Sequence, residues 1–446
     1  MTTARENEIL TRIGPGTPMG DVMRQYWVPI CKSDEVKTDG DPVRIMILGE
    51  PLIAFRDTSG RLGVMDHRCA HRCASLFFGR NEENGIRCIY HGWKFDVDGN
   101  CVDMPNVPPH QDSKHRVKAK AYKVQERYGV VWIYMGERQD VPPPFPDYEL
   151  NDLKDDEITI QMLQQEYNWL QGLENDLDTS HFGFLHLGGA DPNNLVPGDT
   201  MHYLASDRTP QFHIEETPLG LMYGAYRPAD PTNVNTHWRL AQLVVPCWVI
   251  PPAAMLEDQI MIKGYVPMDD THTMVYTIMR SSQQKQRART KDGKPIPGLG
   301  FMPNAKNEFK PNTTDWFGRW RLTNDASNDW LIDREAQRHG GIFSGITGLN
   351  VQDAAVGGML GILSDRTLEH LVPSDAMIVK ARRKLLSLVE ALAADKNAKL
   401  PGVDDPGIYR GHRAGNFIAP TGKPFREAYE EQMRIHANAA PRWAAE

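Results

Sequence analysis

The chain has 446 residues, of which 40% are hydrophobic and 24% charged, and its formal net charge is −8. This composition predicts a soluble globular protein, and the length predicts two domains. The acidic balance, without any basic block, argues against nucleic acid as a partner, and the longest apolar run, "LVVPCWVI", is too short to span a membrane. The N-terminus "MTTARENEIL" has no apolar core of a signal peptide, and the six cysteines are unevenly spaced, so a cytoplasmic location is expected.

Strand-like segments separated by short turns run from Val43 to Gly136. They include "VRIMILGEPLIAFRD", "RLGVMD", "WKFDVDGNCVDM" and "YGVVWIYMGE". Such segments at close turn spacing predict a small all-β domain, which we place at residues 43–141. Residues 1–42 are expected to pack on the other domain as an N-terminal segment. The proline-rich stretch "VPPPFPD" follows and predicts a linker.

Residues 142–446 mix helical and strand patterns. A helix is predicted over about Tyr167–Thr179, followed by strands in "GLMYGAY", "WRLAQLVV" and "HTMVYTIM". From Trp316 onward the chain is predicted to be mostly helical. The clearest helix follows Pro373, with Ser374 as its N-cap and apolar residues at helical spacing. The second domain is therefore predicted to be α+β.

One Cys-x-His pair and one Cys-x-x-His pair lie in the stretch "CAHRCASLFFGRNEENGIRCIYHGW". The four candidate metal ligands are Cys69, His71, Cys88 and His91. Structural zinc sites also use two cysteines and two histidines, but they commonly pair like residues along the sequence. Here each loop supplies one thiolate and one imidazole, which suits a [2Fe–2S] cluster whose two irons have different ligands. A zinc site is the alternative.

The same stretch resembles the Rieske motif, and "CIYHGWKFD" is similar to its version in ring-hydroxylating oxygenases. Electron-transport Rieske proteins carry a further cysteine in each loop, whereas this chain has Tyr90 just before His91. Cys73 stands where these oxygenases more usually have glycine. We interpret its thiol as a packing group rather than a ligand.

A second set of potential ligands, comprising Glu174, Asp178, His181 and His186, lies in "LENDLDTSHFGFLH". On a helix, Glu174, Asp178 and His181 would lie along one stripe, whereas His186 would lie about 140° further round the helix than His181. Gly183 would let the helix end or bulge, so that both imidazoles could converge. A polar stripe on a surface helix is the alternative.

This segment resembles the D-x2-H-x4-H signature of Rieske non-haem iron oxygenases. The resemblance implies that His181 and His186 bind Fe(II) with one carboxylate, leaving positions open for O2, and that Asp178 connects the two metal centres. Asp353, in "QDAAVGGMLG", is the expected carboxylate, because the family places this ligand on a late helix after a polar residue and small neighbours suit close helix approach. Three other aspartates are candidates: Asp333, Asp365 and Asp375.

The resemblance covers nearly the whole chain, from "ILTRIGPGTPMG" to "QDAAVGGMLGILSDRTLEHL", and is to the phthalate 4,5-dioxygenase branch. It implies a helix-grip-like catalytic domain with a mononuclear iron, acting as an oxygenase component that dihydroxylates an aromatic carboxylate. O-demethylation of a lignin-derived aromatic acid is the alternative reaction. The chain has no nicotinamide or flavin fingerprint, so electrons from NAD(P)H are expected through a separate reductase, which in this branch commonly contains FMN and a [2Fe–2S] cluster.

The family's head-to-tail packing implies a homotrimer or a hexamer of stacked trimers, in which His91 faces Asp178 of the partner subunit. An aromatic carboxylate substrate needs a buried cation, best supplied by arginine. Arg208 and Arg239 are the candidates, although each could be an ordinary surface or salt-bridged arginine. Two hypotheses of other classes remain: an electron carrier with a docking domain, and a zinc-stabilised binding protein.

Overall fold

The computed structural model describes residues 2–282, 289–299 and 307–436. Its α-helices in these ranges are α1 (Ala4–Thr11), α2 (Pro18–Met23), α3 (Trp169–Leu177), α4 (Thr200–Ser206), α5 (Arg334–His339), α6 (Leu349–Met359), α7 (Ala376–Ala394) and α8 (Phe425–His436). No helix in this part of the chain combines the length and the hydrophobicity that crossing a bilayer requires.

The N-terminal domain is all-β, as predicted, and contains two antiparallel sheets. Its strands are β1 (Trp27–Lys32), β2 (Val43–Ile47), β3 (Glu50–Arg56), β4 (Leu62–Asp66), β5 (Arg80–Glu82), β6 (Gly85–Arg87), β7 (Lys94–Phe95), β8 (Cys101–Asp103), β9 (Ala121–Arg127) and β10 (Val130–Tyr134). The larger sheet has the order β1-β10-β9-β4-β3-β2, and the smaller has the order β5-β6-β7-β8. All five residues of strand β10 are hydrophobic, and all five are buried. One face of it reaches the second domain, where the ring of Trp132 stacks on Trp248 with centroids 5.5 Å apart.

The N-terminal segment is divided between the two domains. Helices α1 and α2 contact α7 of the second domain. Strand β1, however, pairs with β10 and completes the larger sheet of the first domain, with Trp27 opposite Tyr134. The predicted boundary at residue 42 therefore separates this strand from the sheet to which it belongs. The apolar residues of β1 explain the difference, since they are buried between the domains.

The second domain is α+β, as predicted. Its strands are β11 (Ile158–Gln165), β12 (Gln211–Thr217), β13 (Gly220–Pro228), β14 (Asn235–Val244), β15 (Trp248–Ile250), β16 (Met261–Pro267), β17 (Thr273–Arg280) and β18 (Gly415–Pro420). They form one antiparallel sheet in the order β11-β17-β16-β15-β14-β13-β12, with β18 paired to β14. Helix α3 contacts β14, β15 and β16, and α7 contacts β13, so helices cover this sheet.

The prediction of a mostly helical chain from Trp316 is wrong for the residues before α5. Asp329 and Trp330 have positive φ values of 52° and 50°, which a right-handed helix cannot accommodate. Helix α7 begins at Ala376 rather than directly after Ser374, because Pro373–Asp375 form a separate 3-10 turn.

The two domains share one continuous apolar core. Backbone hydrogen bonds also join them, since the amides of Leu48 and Gly49 donate to the carbonyls of Pro267 and Met268 at 3.1 and 2.8 Å. A second, smaller core surrounds Cys69 and the small sheet. The small sheet therefore has its own apolar support.

Glu174 belongs to a buried ion cluster rather than to a metal site. Its carboxylate accepts hydrogen bonds from Arg382 Nε at 2.6 Å and Arg366 Nη2 at 3.0 Å. Burial alone would raise the pKa of Glu174, but the two guanidinium groups outweigh it and lower that pKa. A lowered folded-state pKa means that this carboxylate stabilises the fold above its ordinary pKa, and the contribution is lost as the pH falls through the folded value.

Glu174→Leu is expected to lower the free energy of unfolding by about 3–5 kcal/mol, because it leaves two buried guanidinium groups without their shared carboxylate. Denaturant unfolding at neutral pH measures this. The matched control is Glu216→Leu, which removes the partner of Lys384 on the surface and should cost about 0–1 kcal/mol. Equal losses in the two variants would contradict a structural role for the buried cluster.

Candidate metal centres

Two loops of the N-terminal domain present the four predicted cluster ligands. The first loop follows β4 and the second joins β6 to β7. In both, the cysteine carbonyl accepts a hydrogen bond from the amide four residues later, Cys73 to Cys69 and Gly92 to Cys88, each at 2.9 Å. The two loops therefore share one turn geometry after their cysteines, although the histidine is two residues after Cys69 in the first loop and three residues after Cys88 in the second.

Cys73 occupies the position in the first loop that Gly92 occupies in the second. Their φ values are 60° and 80°, in the left-handed region that glycine adopts without strain. For a residue with a Cβ this conformation costs about 1–2 kcal/mol. The Cys73 thiol is exposed, so the interpretation of this residue as a packing group is wrong.

The donor set fits a two-iron cluster. The Cys69 and Cys88 thiols are buried and interact with each other, and the rings of His71 and His91 lie side by side with centroids 4.5 Å apart. Burial, with the adjoining Cys88, raises the pKa of Cys69 to about 11, so a thiolate there requires the positive charge of a metal. His91 Nδ1 is buried without a hydrogen-bond partner.

A single zinc ion fits this donor set less well. Among the described His, Cys, Asp and Glu side chains, these four do not form a group whose ligand atoms all lie within 4.8 Å of one another. A tetrahedral zinc site would bring its ligand atoms that close. The separation of a thiol pair from an imidazole pair instead suits a [2Fe–2S] cluster.

The second domain brings together His181, His186 and Asp353. The Nε2 atoms of the two histidines are 3.1 Å apart, and Asp353 Oδ1 lies 3.0 Å from His186 Nε2 and 3.7 Å from His181 Nε2. These three ligand atoms form a compact group of the kind that binds a metal ion. They match the two-histidine, one-carboxylate arrangement of non-haem Fe(II) sites.

The chain leaves the regular helix earlier than predicted. Helix α3 ends at Leu177, before the two histidines, and His181 lies on a separate 3-10 turn, Ser180–Gly183. The offset of about 140° between the two imidazoles on a regular helix therefore does not arise. Convergence follows from this early helix end rather than from a bulge at Gly183.

The protonation states of the group suit a divalent cation. Burial would raise the pKa of Asp353, but the neighbouring His186 and His181 hold that pKa at about 2. Burial, and next the charge of His186, lower the pKa of His181. At neutral pH the group therefore offers an anionic carboxylate and a neutral imidazole, the forms that bind metal. Asp353 Oδ1 has no hydrogen bond of proper geometry, although it is buried.

Gln352 orients His186 and was not identified from the sequence. Its Nε2 donates to the Ile346 carbonyl at 2.7 Å, so its Oε1 faces His186 Nδ1 at 2.6 Å. The Nδ1–H therefore donates to the amide, and the Nε2 lone pair is directed to the metal-binding group. The polar character of Gln352, directly before Asp353, is visible in the sequence, but its contact with His186 is not.

The other candidate aspartates stay away from this group. Asp333 caps α5, Asp365 caps a 3-10 turn, and Asp375 accepts a hydrogen bond from the Val372 amide at 2.7 Å. Close helix approach at α6, expected from its small residues, does occur. A Cβ at Gly357 would lie 2.3 Å from the Tyr167 ring, so any larger residue would push α6 away from α3.

Asp178 is the C-cap of α3 and forms no hydrogen bond to His181. One of its oxygens, Oδ1, accepts hydrogen bonds from the Ser180 amide at 2.8 Å and from the Ser180 hydroxyl. The other oxygen lies 3.9 Å from His181 Nδ1, beyond hydrogen-bond distance. The single helical stripe expected for Asp178 and His181 required a continuous helix, and α3 ends at Leu177.

A cavity of about 350 Å³ adjoins the metal-binding group. Its walls include His181, His186, Asp353, Asp178 and Arg239. Such a volume accommodates a small organic ligand.

Of the two predicted substrate arginines, the structure places only Arg239 at the cavity. Its Nε donates to Thr179 Oγ1 and its Nη1 to the Pro252 carbonyl, both at 2.9 Å. Arg208 does not line the cavity, because it donates to the carbonyls of Leu187 and Gly188 instead.

Two family models match the chain. The Rieske [2Fe–2S] domain matches residues 26–123, and the LigXa C-terminal domain-like family matches residues 133–438. The chain is also 44% identical over 435 residues to the oxygenase subunit of 3-chlorobenzoate-3,4-dioxygenase from Comamonas testosteroni, covering 97% of this chain and 99% of that relative. This chain belongs to the Rieske oxygenase family.

Further comparisons agree. This Rieske oxygenase is 36% identical over 411 residues to the phthalate 4,5-dioxygenase oxygenase subunit of Pseudomonas putida, covering 89% of this chain and 88% of the relative. Among solved structures, the QL mutant of NdmA from Pseudomonas putida CBB5 with theobromine superposes with a TM-score of 0.55 at 18% identity, over 86% of this chain and 96% of that one. The latter similarity shows the fold alone.

Family membership confirms the predicted [2Fe–2S] cluster, and the compact His181, His186 and Asp353 group supports the mononuclear iron. The relatives are the oxygenase subunits of their systems, so this chain is a Rieske oxygenase component. The hypotheses of a zinc protein and of an electron carrier are thereby excluded. The assignment of individual ligands stays a prediction that the geometry supports.

Proposed function

We propose that this oxygenase dihydroxylates the ring of a phthalate-type aromatic carboxylate, using O2 and electrons from NAD(P)H that a separate FMN- and [2Fe–2S]-containing reductase delivers in the cytoplasm. The observation that carries the proposal is a buried cation, Arg239, in the wall of the cavity that also contains the metal-binding group. The names of the two relatives, a chlorobenzoate and a phthalate dioxygenase, point to the same substrate class.

Arg239 has the features of a carboxylate-binding residue. None of the described acidic side chains forms an ion pair with it, and its hydrogen bonds go to neutral groups. Burial lowers the pKa of Arg239 to about 10, so it remains charged at neutral pH without a counter-ion. A substrate carboxylate would supply that counter-ion through charge-assisted hydrogen bonds.

The spacing within the cavity favours an aromatic substrate. The guanidinium of Arg239 lies 4.7 Å from the centroid of the Phe182 ring. On the same ring, the imidazole of His186 packs with centroids 4.7 Å apart. The Phe182 ring thus contacts both the cation and one of the metal-binding histidines, so a substrate anchored at Arg239 would lie against an aromatic side chain close to that group.

In this reaction the protein side chains position and protect the substrate. When bound, the [2Fe–2S] cluster supplies single electrons and the mononuclear Fe(II) supplies O2 activation. His181, His186 and Asp353 would hold that iron, with Gln352 fixing the tautomer of His186. Arg239 would bind the carboxylate.

We further propose a homotrimer or a stack of two trimers, in which Asp178 carries electrons from His91 of the partner subunit. Exposed apolar side chains beside His91 and beside the mononuclear site support a subunit contact at both places. Ile89 and Tyr90, beside His91, are 65% and 55% exposed, and Phe184, beside the mononuclear site, is 49% exposed. Such residues are typical of interfaces.

The test is a turnover screen of benzoates, benzenedicarboxylates and methoxybenzoates with a purified reductase and NADH, reading product structures. We expect ring diols from a carboxylate substrate, and Arg239→Gln should lower kcat/KM for it about 10- to 100-fold. For the uncharged amide analogue of that substrate, Arg239→Gln should lower kcat/KM far less. Arg208→Gln is the matched control and should behave as the parent. Formaldehyde from a methoxybenzoate without any ring diol would instead identify a demethylase.

A further inference from the structure

Three polar side chains form a row across the sheet beside the metal-binding group. Thr277 on β17 lies directly opposite Gln161 on β11 and Lys263 on β16. Residues that lie directly opposite each other on antiparallel strands project from the same face, with Cβ atoms about 4.5–5.5 Å apart. All three line the cavity that also contains Arg239. We call these three residues the polar row.

A side cavity of about 20 Å³ connects the polar row to the metal-binding group. Its walls include the polar row together with Asn350 and the candidate iron ligand Asp353, both on α6. The same residues line the larger cavity, so the side cavity adjoins it. A volume of this size takes about one water-sized group. A hydroxyl group has that size, whereas a planar carboxylate is larger.

The charge of Lys263 is already balanced inside the cavity. Its Nζ lies 2.8 Å from Asp176 Oδ2, and the Tyr265 hydroxyl donates to the same oxygen at 2.7 Å. The side chains of Lys263 and Asp176 are only 13% and 14% exposed. The pair therefore presents no net charge to a ligand. The ammonium group nevertheless has further N–H donors beyond the one that faces Asp176.

The other two residues of the polar row also have hydrogen-bonding capacity to spare. The Gln161 amide and the Thr277 hydroxyl form no hydrogen bond to any residue that the structure describes, although Thr277 is only 9% exposed. Both line the cavity. A ligand that fills the cavity removes water from these groups, so it has to replace the hydrogen bonds that the water made.

A hydroxyl group on the ligand matches these donors and acceptors. Its oxygen can accept from Lys263 Nζ while its hydrogen is donated to the Gln161 carbonyl or the Thr277 hydroxyl. An apolar substituent of the same size would leave the ammonium and the amide without partners. A site built to bind a hydroxyl group rejects an analogue that lacks it for this reason.

We propose that the polar row is a subsite for a ring hydroxyl group, so that the oxygenase selects hydroxylated aromatic acids over those with an apolar group at the same position. This rests on the proposed reaction of an aromatic carboxylate, in which Arg239 binds the carboxylate. Arg239 and the polar row share one cavity of about 350 Å³, a volume suited to a single small ligand. One substrate can therefore occupy both.

The test measures binding, separately from turnover. Anaerobic calorimetry on the cluster- and iron-replete enzyme gives dissociation constants for 2-, 3- and 4-hydroxybenzoate. The matched ligands are the three methylbenzoates, in which a methyl group of similar size replaces the hydroxyl. We expect at least one hydroxybenzoate to bind about 10-fold more tightly than its methyl counterpart. Thr277→Val should lower that ratio about 3-fold or more, and Lys263→Met should abolish it.

Two control variants separate the subsite from other effects. Thr217→Val makes the same exchange at a similarly buried hydroxyl outside the cavity, so it should keep the preference. Arg239→Gln should weaken hydroxybenzoates and methylbenzoates alike, because it acts on the carboxylate that both share. Lys263→Met leaves Asp176 buried without its partner, so the nearly isosteric Thr277→Val provides the test if that variant is unstable.

Hydroxybenzoates that bind no better than methylbenzoates would overturn the subsite, as would a preference that survives Thr277→Val unchanged. A benzenedicarboxylate that binds more tightly than any hydroxybenzoate, and loses this advantage in Lys263→Met, would show that the ammonium binds a carboxylate instead. If the hydroxyl preference depends on Thr277 but no aromatic acid is turned over, the proposed reaction fails while the subsite stands. Ring diols formed without any hydroxyl preference give the opposite result.

Discussion

Asp353→Ala is expected to abolish turnover while leaving the Rieske cluster intact. Asp353 supplies the only carboxylate of the metal-binding group found within the described residues, and its oxygen lies 3.0 Å from His186 Nε2. Without this charge, two neutral imidazoles are a poor site for Fe(II). Iron content should fall from about three to about two per chain, because the cluster keeps both of its irons.

Metal analysis, the visible and electron paramagnetic resonance spectra of the cluster, and turnover measure this prediction. Asp333→Ala and Asp365→Ala are matched controls, since each removes a helix cap outside the cavity. Both should retain iron and activity, with a stability loss of about 0.5–2 kcal/mol. Full iron and activity in Asp353→Ala, with loss of both in either control, would show that the third ligand is wrongly assigned.

The fold of the N-terminal domain follows from local sequence patterns, and that of the second domain does so only in part. Strands β2, β3 and β4 are consecutive and antiparallel, so their apolar runs and the turns between them are visible in the sequence. Strand β18 pairs with β14 from about 180 residues further along the chain, and no local pattern indicates that pairing. The burial of β18 depends on this long-range pairing. A strand is recognised in a sequence by a pattern of apolar residues that reflects its burial, so the local sequence alone does not indicate β18.

The cysteine and histidine candidates could be read from the sequence because metal binding fixes residue types at short spacing, whereas Asp353 was chosen only through the family resemblance. Cys69, His71, Cys88 and His91 all lie in one stretch, as do His181 and His186. The residues that position these ligands were not predictable from the sequence, since their roles depend on tertiary contacts. Gln352 meets His186 across 166 residues, and nothing near it in the sequence marks that contact.

Arginines illustrate the same limit. Arg208 and Arg239 have equal standing in the sequence, but only Arg239 has a strand register that turns it to the cavity. Which arginine faces the cavity is thus decided by strand pairing, a property of the folded sheet.

Asp178 has the geometry to connect the two metal centres, although it forms no hydrogen bond to His181. Its side chain is 31% exposed at the end of α3. One oxygen is held by the Ser180 amide, and the other faces His181 Nδ1, which is buried without a hydrogen-bond partner. A contact from His91 of the partner subunit would leave the carboxylate between the two imidazoles.

Asp178→Asn is therefore expected to stop electron delivery without removing either metal centre. The amide keeps nearly the same volume, and its Oδ1 still accepts from the Ser180 amide, so the cluster and the mononuclear iron should remain. In stopped-flow experiments, mixing the reduced variant with substrate and O2 should reoxidise the cluster about 10- to 100-fold more slowly than in the parent. Asp199→Asn is the matched control, because it neutralises another cavity-wall aspartate while preserving the cap of α4. Sedimentation of the same samples reports the oligomer. Cluster reoxidation at the parent rate in Asp178→Asn would refute the bridge, and a fully active monomer would refute the ring.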